Sequence, residues 1–132
     1  MTSEPPIEPR WLDKAVALAI HDRQLAEHGG SAGLRDAGLL ESALARPRNR
    51  WSYGEGDPAA LAAAYAFGIA RNHLFADGNK RTAWVLARLF LALNDHALIF
   101  EPVEAIQAMP ALAAGELNEA EMADWFREHL VR

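Results

Sequence analysis

From Ala59 to Ala70 the chain carries no charged side chain, and the hydroxyl of Tyr65 is its one side-chain polar group. Alanine dominates the stretch, and alanine is the strongest helix former. Asp57-Pro58 stands at its head, a capping residue followed by proline at the first helical position. A helix that is apolar on nearly every side has to be covered on more than one of them. It falls short of the ~18 residues that a membrane span requires, and it contains Gly68. The rest of the chain therefore has to be folded around this segment.

The covering elements are expected to be helices as well. β-branched residues are scarce, while Ala and Leu are abundant. The expectation is an all-α fold, a compact single-domain bundle of about six helices over residues 1–132, with 1–9 as an extended arm. A chain of 132 residues with 51% hydrophobic and 23% charged residues can build one core, hiding roughly two thirds of its unfolded surface. With 0 Cys, disulfide frameworks, cysteine zinc sites and thiol nucleophiles are excluded. A net charge of -5 argues against a general nucleic-acid binder. The acidic, Pro-rich start and the lack of a long apolar run predict a cytoplasmic chain with no membrane partner.

Local signals divide the chain further. A first helix is expected from about Trp11 to His28, with Leu12, Ala15, Val16, Ala19 and Ile20 on its apolar face and Gly29-Gly30 ending it. Asp36 caps a second helix from Ala37 to about Arg46, stopped by Pro47. Arg48 to Gly56 then reads as a surface loop anchored by Trp51 and Tyr53. The third helix runs to about Asn72. A fourth starts near Asn79 and reaches about Asn94, with Trp84, Val85, Leu89 and Leu93 as one face. Leu98 to Phe100 is expected to be briefly extended. Pro102 opens a fifth helix with Val103, Ile106 and Met109 apolar. Asn118-Glu119-Ala120-Glu121 reads as a capping box for a last helix, which would bury Met122, Trp125, Phe126 and Leu130.

The chemistry gathers between the third and fourth helices, in His73-Leu74-Phe75-Ala76-Asp77-Gly78-Asn79-Lys80-Arg81. His73 offers an imidazole, the side chain most often used as a base in catalysis. Asp77 offers hard oxygens suited to Mg²⁺. Gly78 allows a tight turn. Helix starts expose unpaired N–H groups and a positive dipole end, so acids are favoured there. This one instead begins with Lys80 and Arg81, which makes sense if an anion binds, and phosphate fits best. A base, a metal carboxylate and a phosphate-binding helix start suggest phosphoryl or nucleotidyl transfer.

This segment resembles the Fic/Doc motif, in the version with lysine seen in the death-on-curing (Doc) toxin branch. His73, Phe75, Asp77, Gly78, Asn79, Lys80 and Arg81 match it, and Leu34 to Pro47 looks like the branch's second helix. The resemblance implies a toxin that moves a phosphoryl group from ATP to a protein hydroxyl, with elongation factor Tu as target and translation as the process inhibited. It implies His73 as general base, Asp77 as the Mg²⁺ carboxylate, and Gly78 and Asn79 with the backbone N–H groups around a phosphate. Lys80 and Arg81 would neutralise the developing charge, with Arg71 as a further cation. A Phd-like cognate antitoxin, docking as a helix in a groove over the site region, is the implied partner.

Adenylylating relatives carry Gly at the position of Lys80 and a second Arg at that of Trp84, so the sequence favours phosphoryl over nucleotidyl transfer. Two further readings stay open here. One is a non-catalytic antitoxin-binding module. The other is a metal-independent ribonuclease, since Arg23 and His28 show the Arg-x4-6-His spacing of such toxins.

Overall fold

The computed structural model describes residues 7–131. Its regular elements are six helices: α1 (Lys14–His28), α2 (Ala37–Ser52), α3 (Pro58–Arg71), α4 (Asn79–Leu93), α5 (Pro102–Ala114) and α6 (Glu119–His129). Two isolated antiparallel bridges, Leu34 to Phe75 and Leu98 to Leu130, complete it, and the described residues form no strand. The fold is all-α, as expected. Of the proposed N-terminal arm, residues 7–9 lie outside any regular element and 1–6 fall outside the described residues.

The apolar run becomes the axis of the molecule. α3 packs against α2, α4, α5 and α6, and from Ala59 to Ala70 every residue but Phe67 is buried. Small side chains make this possible by letting neighbouring backbones approach. At Gly68 the approach is closest, because a Cβ there would lie 2.9 Å from the Ala43 Cβ and 3.0 Å from its Cα. Tyr65, fully buried, gives its hydroxyl oxygen to the Leu12 N–H at 2.9 Å, and burial pushes its pKa up from 10.0.

The capping residues read from the sequence begin their helices. Asp36 accepts from the Leu39 N–H, Asp57 from the Ala59 N–H, and Asn118 exchanges hydrogen bonds with Glu121 in a capping box. α1 starts at Lys14 rather than Trp11, because Asp13 takes the cap by accepting from the Val16 N–H. Its buried positions are Ala17 and His21, following Leu12, while Ala15 and Ala19 face solvent. Alanines on both sides leave the pattern too even to fix the face.

α2 does not stop at Pro47. It continues to Ser52 with Pro47 buried inside it. Proline removes one backbone bond there, and the turns beyond it are held by tertiary contacts. Arg46 and Arg50 both pair with Glu119 at the start of α6, and Trp51 meets Trp11 edge to face with ring centres 6.4 Å apart. Trp51 is thus an anchor on a helix rather than in a loop, and Tyr53, 92% exposed, anchors nothing.

On α4 the buried face is Ala83, Leu86, Ala87, Phe90 and Leu91. Trp84, Val85 and Leu93 lie at its flank, half-buried, and Leu89 is exposed. Trp84 instead joins Phe100, Trp125 and Phe126 in an aromatic cluster linking α4 to α6. On α5 only Met109 of the three expected apolar residues is buried, since the inner stripe is Ala108, Met109 and Leu112. On α6, Met122 and Phe126 are fully buried, and Trp125 and Leu130 partly so. The expected extended segment consists of the Leu98 bridge, secured by the Ile99 N–H to the His129 carbonyl at 2.8 Å. No helix among the described residues is long and apolar enough to cross a membrane.

Candidate active site

The chain leaves α3 at Arg71 and turns sharply at His73, whose φ of 47° is left-handed. That conformation costs a residue with a Cβ ~1–2 kcal/mol, and it leaves the His73 side chain exposed. The next two residues are fully buried. Leu74 and Phe75 each contribute ~1.5–3 kcal/mol of apolar burial, which pins the loop to the core. Pairing with the segment before α2 secures it further. The Arg35 N–H donates to the Leu74 carbonyl at 2.7 Å, and the Ala76 N–H to the Gly33 carbonyl at 3.0 Å.

Asn79 closes the loop on itself. Its Oδ1 accepts from the Phe75 N–H at 3.0 Å and its Nδ2 donates to the Phe75 carbonyl at 2.9 Å. Its side chain is thereby engaged, and what it can offer a phosphate is its backbone N–H.

α4 begins at Gly78, with φ 77° and ψ 15°, and no side chain caps it. α5 lacks a side-chain cap too, but it opens with Pro102 and holds Glu104 in its first turn. α4 has neither compensation, for its first turn contains no acid and carries the exposed Lys80 and Arg81. The unpaired N–H groups and both cations face the same end of the helix. Asp77 precedes them, its Oδ1 accepting from the Gly78 N–H at 2.8 Å.

Two residues behind Asp77 carry no signal of their place there in the sequence. Gly30, at φ 127°, lies so near that a Cβ would stand 2.9 Å from Asp77 Oδ2. His21 of α1 reaches the Asp77 carbonyl with its Nε2 at 2.7 Å and stacks on Phe75, ring centres 3.7 Å apart and planes within 6°. In the sequence, Gly29-Gly30 signals only a helix stop. His21 follows Ala17 by one helical turn, a spacing that announces burial but not its partner.

His73, Asp77, Gly78, Asn79, Lys80 and Arg81 all line one open cleft of about 420 Å³, together with Ala70, Ala76 and Ala113. Arg71 does not line it, as its guanidinium lies 5.3 Å from the Phe67 ring and against Gly115 at the end of α5. A second groove of about 390 Å³ shares Lys80 and Arg81 with the cleft. It is otherwise apolar, formed by Trp84, Ala105, Ile106, Met109 and Pro110. The described residues contain no cluster of three or more His, Cys, Asp or Glu able to enclose a metal. An ion in the cleft would have Asp77 as its carboxylate and draw its other ligands from bound phosphates and water. That suits Mg²⁺, which is commonly bound by one or two carboxylates plus substrate phosphates. Arg23 pairs with Glu27 at 2.9 Å on the surface of α1, and neither Arg23 nor His28 lines the cleft.

The model of the Fic/DOC family matches residues 11–91. Over 119 residues the chain is 35% identical to "Protein kinase doc" of Escherichia phage P1, covering 89% of this chain and 94% of that protein. Over 69 residues it is 48% identical to "Toxin Doc" of Mycolicibacterium smegmatis (strain ATCC 700084 / mc(2)155), covering 50% of this chain and 52% of that one.

Proposed function

The chain belongs to the Fic/DOC family, and from that premise we propose that it is a Doc-type toxin, a kinase that transfers the terminal phosphoryl group of ATP to a protein hydroxyl. The observation that supports this most is the convergence in one cleft of a histidine base, a single carboxylate and an uncapped helix start bearing two cations.

Each residue then has a defined task. His73 takes the proton of the attacking hydroxyl as its oxygen bonds to the terminal phosphorus, and the bond from that phosphorus to the bridging oxygen breaks to release ADP. The N–H groups of the first turn of α4, from Asn79 onward, hold the phosphate oxygens in place, the Gly78 N–H being taken by Asp77 Oδ1. Lys80 and Arg81 neutralise the charge that grows on the transferred group. Asp77 would hold Mg²⁺, which would supply further neutralisation of the phosphates. Lysine at position 80 would occupy space that glycine leaves for a bridging phosphate, which favours the terminal phosphate as the one nearest His73.

The acceptor in this reading is a serine or threonine hydroxyl of elongation factor Tu, so that the reaction stops translation. The controlling partner is a Phd-like antitoxin whose amphipathic segment docks as a helix in the apolar groove beside Lys80 and Arg81. The exposure of Ile106 (71%) and Val103 next to that groove supports this.

The test is incubation of the protein with translation factors and ATP labelled at either the γ- or the α-phosphate, followed by intact-mass analysis. Transfer of γ-label with a phosphate-sized increment on elongation factor Tu is expected. Incorporation of α-label overturns the kinase reading in favour of nucleotidyl transfer, and no incorporation from an intact fold favours a binding module.

A further inference from the structure

We propose that His21 is a positioning residue for the catalytic loop, its Nε2–H fixing the Asp77–Gly78 peptide so that the Gly78 N–H faces the Asp77 carboxylate. The effect on catalysis rests on the kinase reading above, whereas the effect on the loop does not.

His21 is 3% exposed and lies on α1, outside the motif. A carbonyl oxygen can only accept, so the 2.7 Å contact with Asp77 requires the proton to be on Nε2. In a trans peptide the C=O and the following N–H point opposite ways. Holding the Asp77 carbonyl oxygen on His21 therefore sends the Gly78 N–H to the opposite side of the peptide, where Asp77 Oδ1 accepts it at 2.8 Å.

That orientation needs an external tie. Glycine tolerates either hand of the backbone, so at Gly78 rotation of the peptide costs little. Asn79 secures Phe75 and leaves Asp77 free. A rotated peptide would release the carboxylate and turn a carbonyl dipole toward the place where phosphate oxygens belong. The same imidazole also stacks on Phe75, and its Cδ2 and Nε2 stand 3.6 Å from where a Cβ of Gly78 would be. One ring thus registers Phe75, Asp77 and Gly78 against α1. Phenylalanine would keep the stacking face without the donor, and glutamine a donor without the face.

The test uses the full chain in three forms: wild type, His21→Phe and His21→Gln. In wild type, nitrogen NMR of neutral His21 should show the Nε2–H tautomer, and the Nδ1–H tautomer would overturn the proposal whether or not either variant folds. Hydrogen exchange at the Gly78 amide should quicken by roughly tenfold in His21→Phe, about the worth of one hydrogen bond, and stay near wild type in His21→Gln. In γ-phosphate transfer, the KM for Mg²⁺–ATP should rise by about the same factor in His21→Phe, with the KM for the protein acceptor unmoved, and should largely recover in His21→Gln. A core-packing role predicts the reverse, phenylalanine tolerated and buried glutamine harmful, and that order would refute the idea. A wild-type chain that transfers no phosphate but shows the stated tautomer and exchange pattern refutes the kinase reading and leaves the positioning role standing.

Discussion

The starts of α4 and α6 solve one problem in opposite ways. α6 satisfies itself: Asn118 and Glu121 exchange side-chain and backbone bonds, Glu119 and Glu121 put negative charge at the positive end of the helix, and Arg127 and His129 sit at the other. Glu119 is in addition held by Arg46 and Arg50. α4 has no side-chain cap and places Lys80 and Arg81 where acids belong. Its N-cap, Gly78, has no side chain to offer, and the side chain of the next residue, Asn79, is turned back to bind Phe75. Both helices share one core, so α4 is not simply a poorer helix. Stability has been left unclaimed at the helix start to which the proposed function assigns a phosphate.

The sharpest separation should come from the groups flanking the two starts. His73→Ala should slow γ-phosphate transfer by roughly 10²–10⁴-fold with the thermal midpoint nearly unchanged. Asn118→Ala should leave the transfer rate alone, and equal losses in the two would erase the contrast.

A charge reversal at the open start probes it directly. Lys80→Glu should stabilise the fold by about 0.3–1 kcal/mol in denaturant titration, because an acid now faces the helix dipole. Transfer of phosphate should fall by at least about tenfold as the same acid repels it. Stability and activity falling together would show that Lys80 supports the fold.

The closed start should respond the other way. Asn118→Ala should cost ~1 kcal/mol of stability, read as a lower denaturation midpoint, through loss of the cap on α6. No change would mean that Glu119 and its arginines hold that helix alone.

The entry to α1, where Tyr65 satisfies the Leu12 N–H, offers the gentlest test. Burial raises the Tyr65 pKa above 10.0, so with rising pH the unfolded chain loses this proton first. The stability owed to the neutral hydroxyl is complete below pH 10.0 and is lost as pH climbs through the higher folded value. Tyr65→Phe should flatten that alkaline decline in a pH series of melting curves.

What the sequence made legible was local. Asp36, Asp57-Pro58 and Asn118 announced their helices because a cap bonds within three residues of itself, and the motif from His73 to Arg81 reached the cleft intact because its members are contiguous. What stayed hidden depended on distance. Pro47 is carried through α2 by arginines that reach Glu119, and no nearby residue signals that. The buried faces of α1 and α4 differ from the expected ones because alanine, small enough to fit inside or out, blurs the helical period. His21 meets Asp77 across 56 positions, a pairing that no periodicity encodes.

The four tryptophans fall into two pairs, and this gives the molecule a built-in optical gauge. Trp11 and Trp51 pack together between α1 and α2, whereas Trp84 and Trp125 meet in the cluster beside the shared groove, Trp84 lining the groove itself under the guanidinium of Arg88. Indole emission shifts with the polarity and the charges around the ring. A segment filling the groove would displace water from Trp84 and leave the remote pair dark to the event. Occupancy at this face should therefore shift the total indole emission of the unlabelled protein, to which Trp11 and Trp51 add an unchanging part.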